Sequence, residues 1–238
     1  IRDRDITSGI QNYPDARFAL ITPAHQSPLG VALSLARRHQ ILEWADRSQA
    51  WIIEDDYDSE FRYHGKPLPA LKSLDAPQRV IYAGTFSKAL FPALRCAWLV
   101  LPVKQIAQFR HQASLAPCAV PVLWQNTLAD FLREGHFWRH LKKMRQHYAQ
   151  RRQWIEQALT QQGFQVVPQK GGIQMVIRMI GDDIAHARKA NAAGLAVQAL
   201  SDWRIRSSGE GGLLLSFTNI VNEGMARQVA QQLRKALS

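Results

Sequence analysis

Two short segments of the chain combine an apolar strand pattern with residue types that could carry out chemistry. In the first, a short apolar strand predicted at residues 51–54 leads directly into the polar string Glu54, Asp55, Asp56 and Tyr57. Residues just past the carboxyl end of a strand in a parallel sheet line the ligand crevice. Carboxylates there can act as acid and base, bind a metal ion, or balance the charge of a cationic cofactor ring. The alternative role for an aspartate at this place is a helix N-cap.

The second segment places a lysine close behind a strand. The strand pattern at residues 79–83 is followed by the hydroxyls of Thr85 and Ser87, and then by Lys88 and Arg95. A lysine flanked by hydroxyls and a second cation suits an aldehyde that carries a phosphate. The amine would form a Schiff base, while the hydroxyls and the guanidinium would hold the phosphate. The alternatives are a surface lysine, an arginine in an ion pair, and ordinary capping hydroxyls.

The elements that must position these segments alternate between short β-branched runs and helical patterns. Strands are predicted at residues 17–22, 51–54, 79–83 and 96–101, with a helix at 31–47. This alternation predicts an α/β fold with a largely parallel sheet that is buried on both faces.

The rest of the chain predicts a helical stretch and then a smaller α/β unit. Helical periodicity dominates from residue 104 to 162, with a break at 116–121. Strands are then expected at residues 164–167, 173–179, 195–200 and 213–217, and helices at 184–193 and 222–237. The expected domains are residues 1–120, a partial large domain that holds the ligand site, and residues 121–238, which contain the connecting helices and a small C-terminal domain.

The charge of the chain is strongly positive. Lys and Arg number 30 against 19 Asp and Glu, and the formal net charge is +11 over 238 residues. The excess is concentrated at residues 133–152, where apolar residues at helical spacing predict an amphipathic helix with a basic outer face. This face is either simply solvated or a contact surface for DNA or an acidic partner. His136 and His140 have the spacing of two metal ligands but lack a third, so no metal site is predicted.

Composition excludes several classes of protein. Hydrophobic residues make up 46% and charged residues 21%, which excludes a disordered chain. No apolar run approaches the roughly 20 residues of a membrane helix, so no membrane partner is expected. The two cysteines, Cys96 and Cys118, are too few for a disulfide scaffold and indicate a reducing compartment, the cytoplasm. Because the chain starts at Ile1, we interpret it as the interior and C-terminal part of a longer protein.

The motifs around both segments resemble those of the fold-type-I pyridoxal-phosphate family, the aspartate aminotransferase-like proteins. They lie at residues 22–30, 53–63, 67–72 and 84–95. Taken together, they are similar to the MocR/GabR-type (PdxR-like) branch of transcriptional regulators, in which a winged helix-turn-helix domain precedes an aminotransferase-like domain. The resemblance implies a partial aminotransferase-type large domain at residues 1–120 and a small C-terminal domain.

The resemblance also implies a role for each matching residue. Pyridoxal 5'-phosphate would be held as a Schiff base on Lys88, with Asp55 paired to its pyridine nitrogen and Tyr57 hydrogen-bonded to its ring oxygen. The cofactor's phosphate would be bound by Thr85, Ser87 and Arg95. A substrate carboxylate would be bound by Arg206 or, in its place, Arg204.

One position departs from the family pattern. Ser27 stands where aminotransferases usually carry an asparagine that contacts the cofactor's ring oxygen. Serine is too short to replace that contact directly, and His25 or Gln26 would compensate.

Three functions are compatible with these residues. The first is an effector-sensing domain of a MocR-type regulator, which binds a small amino compound or amino acid at the cofactor and DNA through its N-terminal winged helix-turn-helix. The second is an aminotransferase that uses the same residues, with Lys88 as general base. The third is a degenerate module that no longer binds the cofactor and serves dimer contact or DNA attraction. A homodimer is expected from the resemblance.

Overall fold

The computed structural model describes residues 5–116, 120–204 and 209–238. Its backbone contacts divide the chain into two units. The first unit comprises Ile1–Ser27, Val31–Glu60 and Lys66–Leu141, and the second comprises Pro28–Gly30, Phe61–Gly65 and Lys142–Ser238. Each unit has its own sheet and its own hydrophobic core. The domain division after residue 120 stays a prediction.

A four-stranded sheet forms the centre of the first unit. Its strands are β1 (Phe18–Ile21), β2 (Trp51–Asp56), β3 (Val80–Thr85) and β4 (Ala97–Val100), in the order β1-β2-β3-β4. The first three strands run parallel, and β4 is antiparallel to β3. This arrangement confirms the predicted α/β class and largely parallel sheet. Burial on both faces holds for β3, where Val80 and Ile81 are buried, whereas β2 is buried on the face of Ile52 and half-buried on the other. The edge strands expose apolar side chains such as Leu20 and Leu99.

Helix α2 covers one face of this sheet. The first unit begins with α1 (Asp5–Asn12), and α2 (Leu35–Arg47) follows β1. Ile41, Trp44 and Ala45 recur along α2 at steps of three and four residues, so that they share one face of the helix. They form one cluster with Ile52 of β2 and Val80 of β3, both of which are fully buried. Each such aliphatic side chain contributes about 1.5–3 kcal/mol to folding by leaving water.

Three helices occupy the stretch in which helical periodicity was expected. They are α3 (Ile106–Leu115), α4 (Val122–Arg133) and α5 (His136–Gln161). The predicted break near residue 116 is present, and a second break separates α4 from α5. At this second break, Gly135 has a φ of 72°, a left-handed conformation that glycine adopts without steric cost. Within the described ranges, no helix has both the length and the apolar content needed to cross a membrane.

The second unit is built on a three-stranded antiparallel sheet. Its strands are β5 (Gln174–Met179), β6 (Val197–Ala199) and β7 (Gly211–Ser216), in the order β5-β7-β6. Two helices accompany them, α6 (Asp183–Ala192) and α7 (Glu223–Leu237). Each begins at a capping side chain, because Asp182 accepts the backbone N–H groups of residues 184 and 185, and Asn222 accepts that of residue 225.

The core of the second unit joins both sheet and helices. Its fully buried members include Leu159 of α5, Ile177 of β5, Leu213 of β7 and Leu233 of α7. The strand predicted at residues 164–167 is wrong, because only Val166 pairs there, as an isolated bridge to Ile177. The segment is apolar enough for a strand, but it continues the edge of β5 at a single point only.

Candidate functional site

The register of β2 against β3 separates the carboxylates of the first segment onto two faces of the sheet. Asp55 is paired with Ala83, and Asp56 with Gly84. Successive side chains of a strand point to opposite faces, so Asp55 shares a face with Ala83 and Thr85, while Asp56 lies on the other. Both aspartates belong to β2 itself, which runs two residues further than the sequence pattern predicted.

Glu54 is a structural carboxylate. Its side chain is 1% exposed, and its two oxygens accept the backbone N–H groups of Leu71 at 2.7 Å and Lys72 at 2.8 Å. Burial raises the pKa of Glu54, and the two amides and the positive charge of buried Arg38 oppose that rise. These contacts tie the strand to the 3-10 turn at Leu71–Leu74 and leave the carboxylate no part in ligand binding.

Asp56 is also held by protein groups. Its carboxylate accepts the backbone N–H of Ser59 at 3.2 Å, the Ser59 hydroxyl at 2.7 Å and the Tyr82 hydroxyl at 2.7 Å. Burial and the hydrogen bond to Asp56 raise the pKa of Tyr82 well above its usual range, so this phenol keeps its proton. Asp56 therefore fixes the turn that follows β2.

Asp55 has no such partner. Among the residues that the structure describes, none donates a hydrogen bond to its carboxylate. Partial burial raises the pKa of Asp55, and the negative charges of Asp56 and Asp58 raise it further. A cation placed against this carboxylate would remove that cost. A protonated pyridine nitrogen has both the charge and the N–H donor that the site lacks, so the residues present fit the ring of pyridoxal phosphate.

Tyr57 is held on the same strand end by a histidine–aspartate pair. The Tyr57 hydroxyl donates to the backbone oxygen of His25 at 3.1 Å. The His25 Nδ1 atom lies 3.1 and 3.2 Å from the two oxygens of Asp58, whose side chain is 2% exposed. Because a carboxylate only accepts, Nδ1 carries the proton, and it therefore cannot accept the phenol proton 3.3 Å away.

The consequence is a phenol that stays protonated. Burial raises the pKa of Tyr57 well above its usual range, and the negative charge of Asp58 adds to this effect. A hydrogen bond with the Ser27 side chain acts in the opposite direction. Ser27 thus reaches the phenol itself, and the backbone oxygen of His25 accepts its hydrogen bond. The His25 Nε2 atom is buried and has no hydrogen-bond partner within the described residues.

The second segment forms a compact group of donors after β3. The Thr85 hydroxyl donates to the Ser87 hydroxyl at 3.0 Å and accepts the backbone N–H of Ser87 at 3.1 Å. Lys88 follows on a turn and its side chain is exposed. Arg95, also exposed, has a φ of 50°, an unusual left-handed conformation for a residue with a side chain. The two hydroxyls are therefore in contact, and both cations are free of ion pairs within the described part of the chain.

Two further predicted positions lie in the second unit. Arg206 falls at residues 205–208, which lie outside the described residues. The guanidinium of Arg204 donates to the backbone oxygen of Glu210. This hydrogen bond holds the Arg204 guanidinium at the backbone of Glu210.

Asp58 is the residue that sequence reasoning missed. It is the fourth carboxylate of the string that begins at Glu54, and nothing in the string distinguishes it from its neighbours. Its partner His25 is 33 positions away, so only the fold brings the two together.

Comparison with known proteins places the chain in a family. The profile described as aminotransferase class I and II matches residues 4–209. The "Probable rhizopine catabolism regulatory protein MocR" of Rhizobium meliloti is 36% identical over 229 residues, which cover 94% of this chain and 46% of that protein. The "HTH-type pyridoxine biosynthesis transcriptional regulator PdxR" of Corynebacterium glutamicum is 32% identical, with 94% and 49% covered. The chain spans about half the length of these relatives.

Solved structures agree with the sequence comparison. The multiple substrate aminotransferase of Thermococcus profundus has a TM-score of 0.87 at 25% identity, over 100% of this chain and 61% of that one. The α-aminoadipate aminotransferase LysN of Thermus thermophilus, solved with N-(5'-phosphopyridoxyl)-L-leucine, has a TM-score of 0.85 at 25% identity, over 99% and 62%. These likenesses confirm the aspartate-aminotransferase-like fold class that the motifs implied. The chain belongs to the aminotransferase class I and II family.

Proposed function

We propose that this chain is the pyridoxal-phosphate-binding, effector-sensing domain of a MocR/GabR-type transcriptional regulator, with the cofactor held covalently on Lys88. The observation that carries the proposal is the Asp55 carboxylate. It is the one acid at the end of β2 left without a protein donor among the described residues, and it shares a sheet face with Thr85, three residues before Lys88. A ligand with a cationic ring and a phosphate group would place the ring against Asp55 and the phosphate near Thr85.

The relatives support the regulatory half of the proposal. MocR and PdxR are named as regulators, and each is covered over a little less than half its length. LysN supports the cofactor half, because its structure holds a phosphopyridoxyl group on this fold.

The cofactor would supply an electrophilic carbon and an electron-accepting ring. With the cofactor bound, the Lys88 amine would hold its aldehyde carbon, and the Asp55 carboxylate would keep a proton on the ring nitrogen. Tyr57, protonated because of its raised pKa, would turn its one O–H from the backbone oxygen of His25 to the ring oxygen. The phosphate would be bound by Thr85, Ser87 and Arg95. Arg206 would receive the carboxylate of an amino acid effector, because a guanidinium pairs with a carboxylate through two parallel bonds.

The partners belong to the same proposal. A small amino compound or amino acid would react at the cofactor, and DNA would be bound by a winged helix-turn-helix domain that precedes this chain in the whole protein. The protein would act as a homodimer in the cytoplasm. The partial cofactor-binding domain would comprise residues 1–120, and the connecting helices and small domain residues 121–238.

An aminotransferase is the second candidate, since the structural likeness is to aminotransferases. The two functions need the same residues at Lys88, Asp55 and Tyr57. They differ in whether the amino group is passed on to a keto acid or only sensed.

The test uses the whole protein with added pyridoxal phosphate. Borohydride reduction followed by peptide mass spectrometry should find the pyridoxyl group on Lys88. Lys88→Ala should lose the adduct, and Lys104→Ala, an exposed lysine outside the site, should keep it. An adduct that survives in Lys88→Ala would contradict the proposal.

The same preparation separates the candidate functions. A panel of amino acids and amines should change the cofactor's visible absorbance and the protein's affinity for its own promoter, without release of a keto acid. Steady turnover with a keto acceptor and unchanged DNA affinity would establish the aminotransferase instead. If the wild-type protein does not bind pyridoxal phosphate, the remaining candidate is the degenerate module that has lost cofactor binding.

A further inference from the structure

The turn that carries Lys88 is fixed at a single peptide unit. The N–H of Leu90 donates to the backbone oxygen of Phe86 at 2.8 Å and closes the turn. The other end of that same peptide, the carbonyl of Ala89, accepts from the Nε2 atom of His140 at 2.9 Å. Ala89 is 2% exposed, so water has little access to this residue. Both polar ends of the Ala89–Leu90 peptide, which begins one residue after Lys88, are therefore held by protein groups.

Helix α5 contacts the turn at a second point. The ring of Phe137, one turn before His140, packs edge-on against Phe86 with 5.6 Å between ring centroids. Phe86 in turn lies 4.6 Å from Trp98 of β4, and its backbone N–H donates to Cys96 at 3.1 Å. The Phe86 side chain, two residues before Lys88, and the Ala89–Leu90 peptide, one residue after it, are thus both anchored.

The direction of the His140 hydrogen bond is determined by chemistry. A carbonyl oxygen only accepts, so Nε2 carries the proton. The neighbouring His136 has a different partner, since its Nε2 lies 2.9 Å from Glu134. The two imidazoles, which the sequence places at the spacing of metal ligands, thus bond to separate groups.

We propose that His140 is a positioning residue for Lys88. It holds the Ala89 carbonyl and so sets the backbone from which the Lys88 amine projects. The inference rests on the proposed function for the chemical role of Lys88, but the backbone arrangement itself does not require the cofactor.

The first arm of the test needs no cofactor. Amide hydrogen exchange at Leu90 should be about tenfold faster in His140→Leu than in the wild-type whole protein, because the hydrogen bond that orients its peptide is gone. His140→Gln, which keeps an N–H donor at the end of a side chain of similar length, should restore most of the protection. His147→Leu, at an exposed position on the same helix, should leave it unchanged.

Exchange at Ile52, in the core of the first unit, serves as the internal reference. If Ile52 and Leu90 accelerate equally in His140→Leu, the variant loosens the whole unit and the positioning role is refuted. Unchanged exchange at Leu90 refutes it as well.

The second arm measures the bound cofactor. The visible circular dichroism of pyridoxal phosphate on the protein should fall at least twofold in His140→Leu and recover in His140→Gln, because the signal depends on how rigidly the ring is oriented. If the wild-type protein shows no such signal while the exchange result holds, the proposed function has failed and the His140 contact has not. If the signal is the same in all variants, His140 does not position Lys88.

Discussion

Gly84, four residues before Lys88, lies where there is no room for a larger side chain. A Cβ atom at this position would lie 2.2 and 2.3 Å from two ring carbons of Trp98, the residue paired with Gly84 across β3 and β4. Carbon atoms in contact are ordinarily 3.5–4.0 Å apart. In Gly84→Ala the indole must therefore retreat by more than about 1 Å, away from its tilted contact with the Phe86 ring.

The expected cost follows from this displacement. Overpacking of a well-packed site costs about 1–3 kcal/mol, and loss of an aromatic pair costs about 0.5–1.5 kcal/mol more. For a chain of this size, each kcal/mol lowers the melting temperature by about 2–4 °C. Gly84→Ala should thus lower the melting temperature of the whole protein by about 3–18 °C and its free energy of unfolding by about 1.5–4.5 kcal/mol.

A double-mutant cycle tests the stated cause. Trp98→Leu removes the ring, so Gly84→Ala should cost less than about 0.5 kcal/mol in that background, and the coupling energy should exceed 1 kcal/mol. Gly9→Ala in α1 is the matched control, because nothing lies within 4 Å of the added methyl group. It should be neutral or stabilising by up to about 1 kcal/mol. A Gly84→Ala penalty that persists without the indole would refute the reasoning.

Two further predictions concern the partly buried Asp55 and the buried Asp183. Asp55→Asn should raise the stability of the cofactor-free protein at neutral pH and weaken pyridoxal phosphate binding by about 10- to 100-fold, as measured by denaturation and by cofactor titration. Because the folded-state pKa of Asp55 is raised, its stability advantage over wild type should shrink as the pH falls and the wild-type carboxyl becomes neutral. Asp183→Ala should cost about 1–3 kcal/mol in denaturant unfolding, since two buried amides lose their acceptor. Burial alone would raise the pKa of Asp183, but hydrogen bonds from Gly212 and Ser201 hold it below its usual range, so the Asp183 contribution should be lost as the pH falls through that lowered pKa.

The elements that carry the site were accessible to sequence reasoning because their patterns are local. Short apolar runs before Asp55 and before Thr85 predicted two strands, and both strands exist and pair in parallel. The chemistry of a lysine between hydroxyls and a second cation also needs no tertiary information. The positions of strand ends were less accessible, since β2 includes two acids that strands usually avoid.

What the sequence could not provide are contacts between distant residues. The pair formed by His25 and Asp58 spans 33 positions, and the bond from His140 to Ala89 spans 51. The choice between Asp55 and Asp56 as the ring partner is of the same kind. Residue type alone does not distinguish them and only the resemblance favoured Asp55, whereas the structure gives Asp56 three donors and Asp55 none among the described residues.

Side chains alternate between the two faces of β2, and this explains how one strand accommodates Glu54, Asp55 and Asp56 in succession. Glu54 and Asp56 share one face of β2, where their carboxylates accept hydrogen bonds from backbone amides and hydroxyls. Asp55 points to the opposite face, and its carboxylate keeps an uncompensated cost that a cationic ligand would relieve. A ligand that binds only the folded state adds its binding free energy to stability. The period of two in a β-strand thus places Glu54 and Asp56 among protein donors and leaves Asp55 without one in the described part of the chain. If a ring cation binds at Asp55 as proposed, we expect its binding to raise the stability of the first unit.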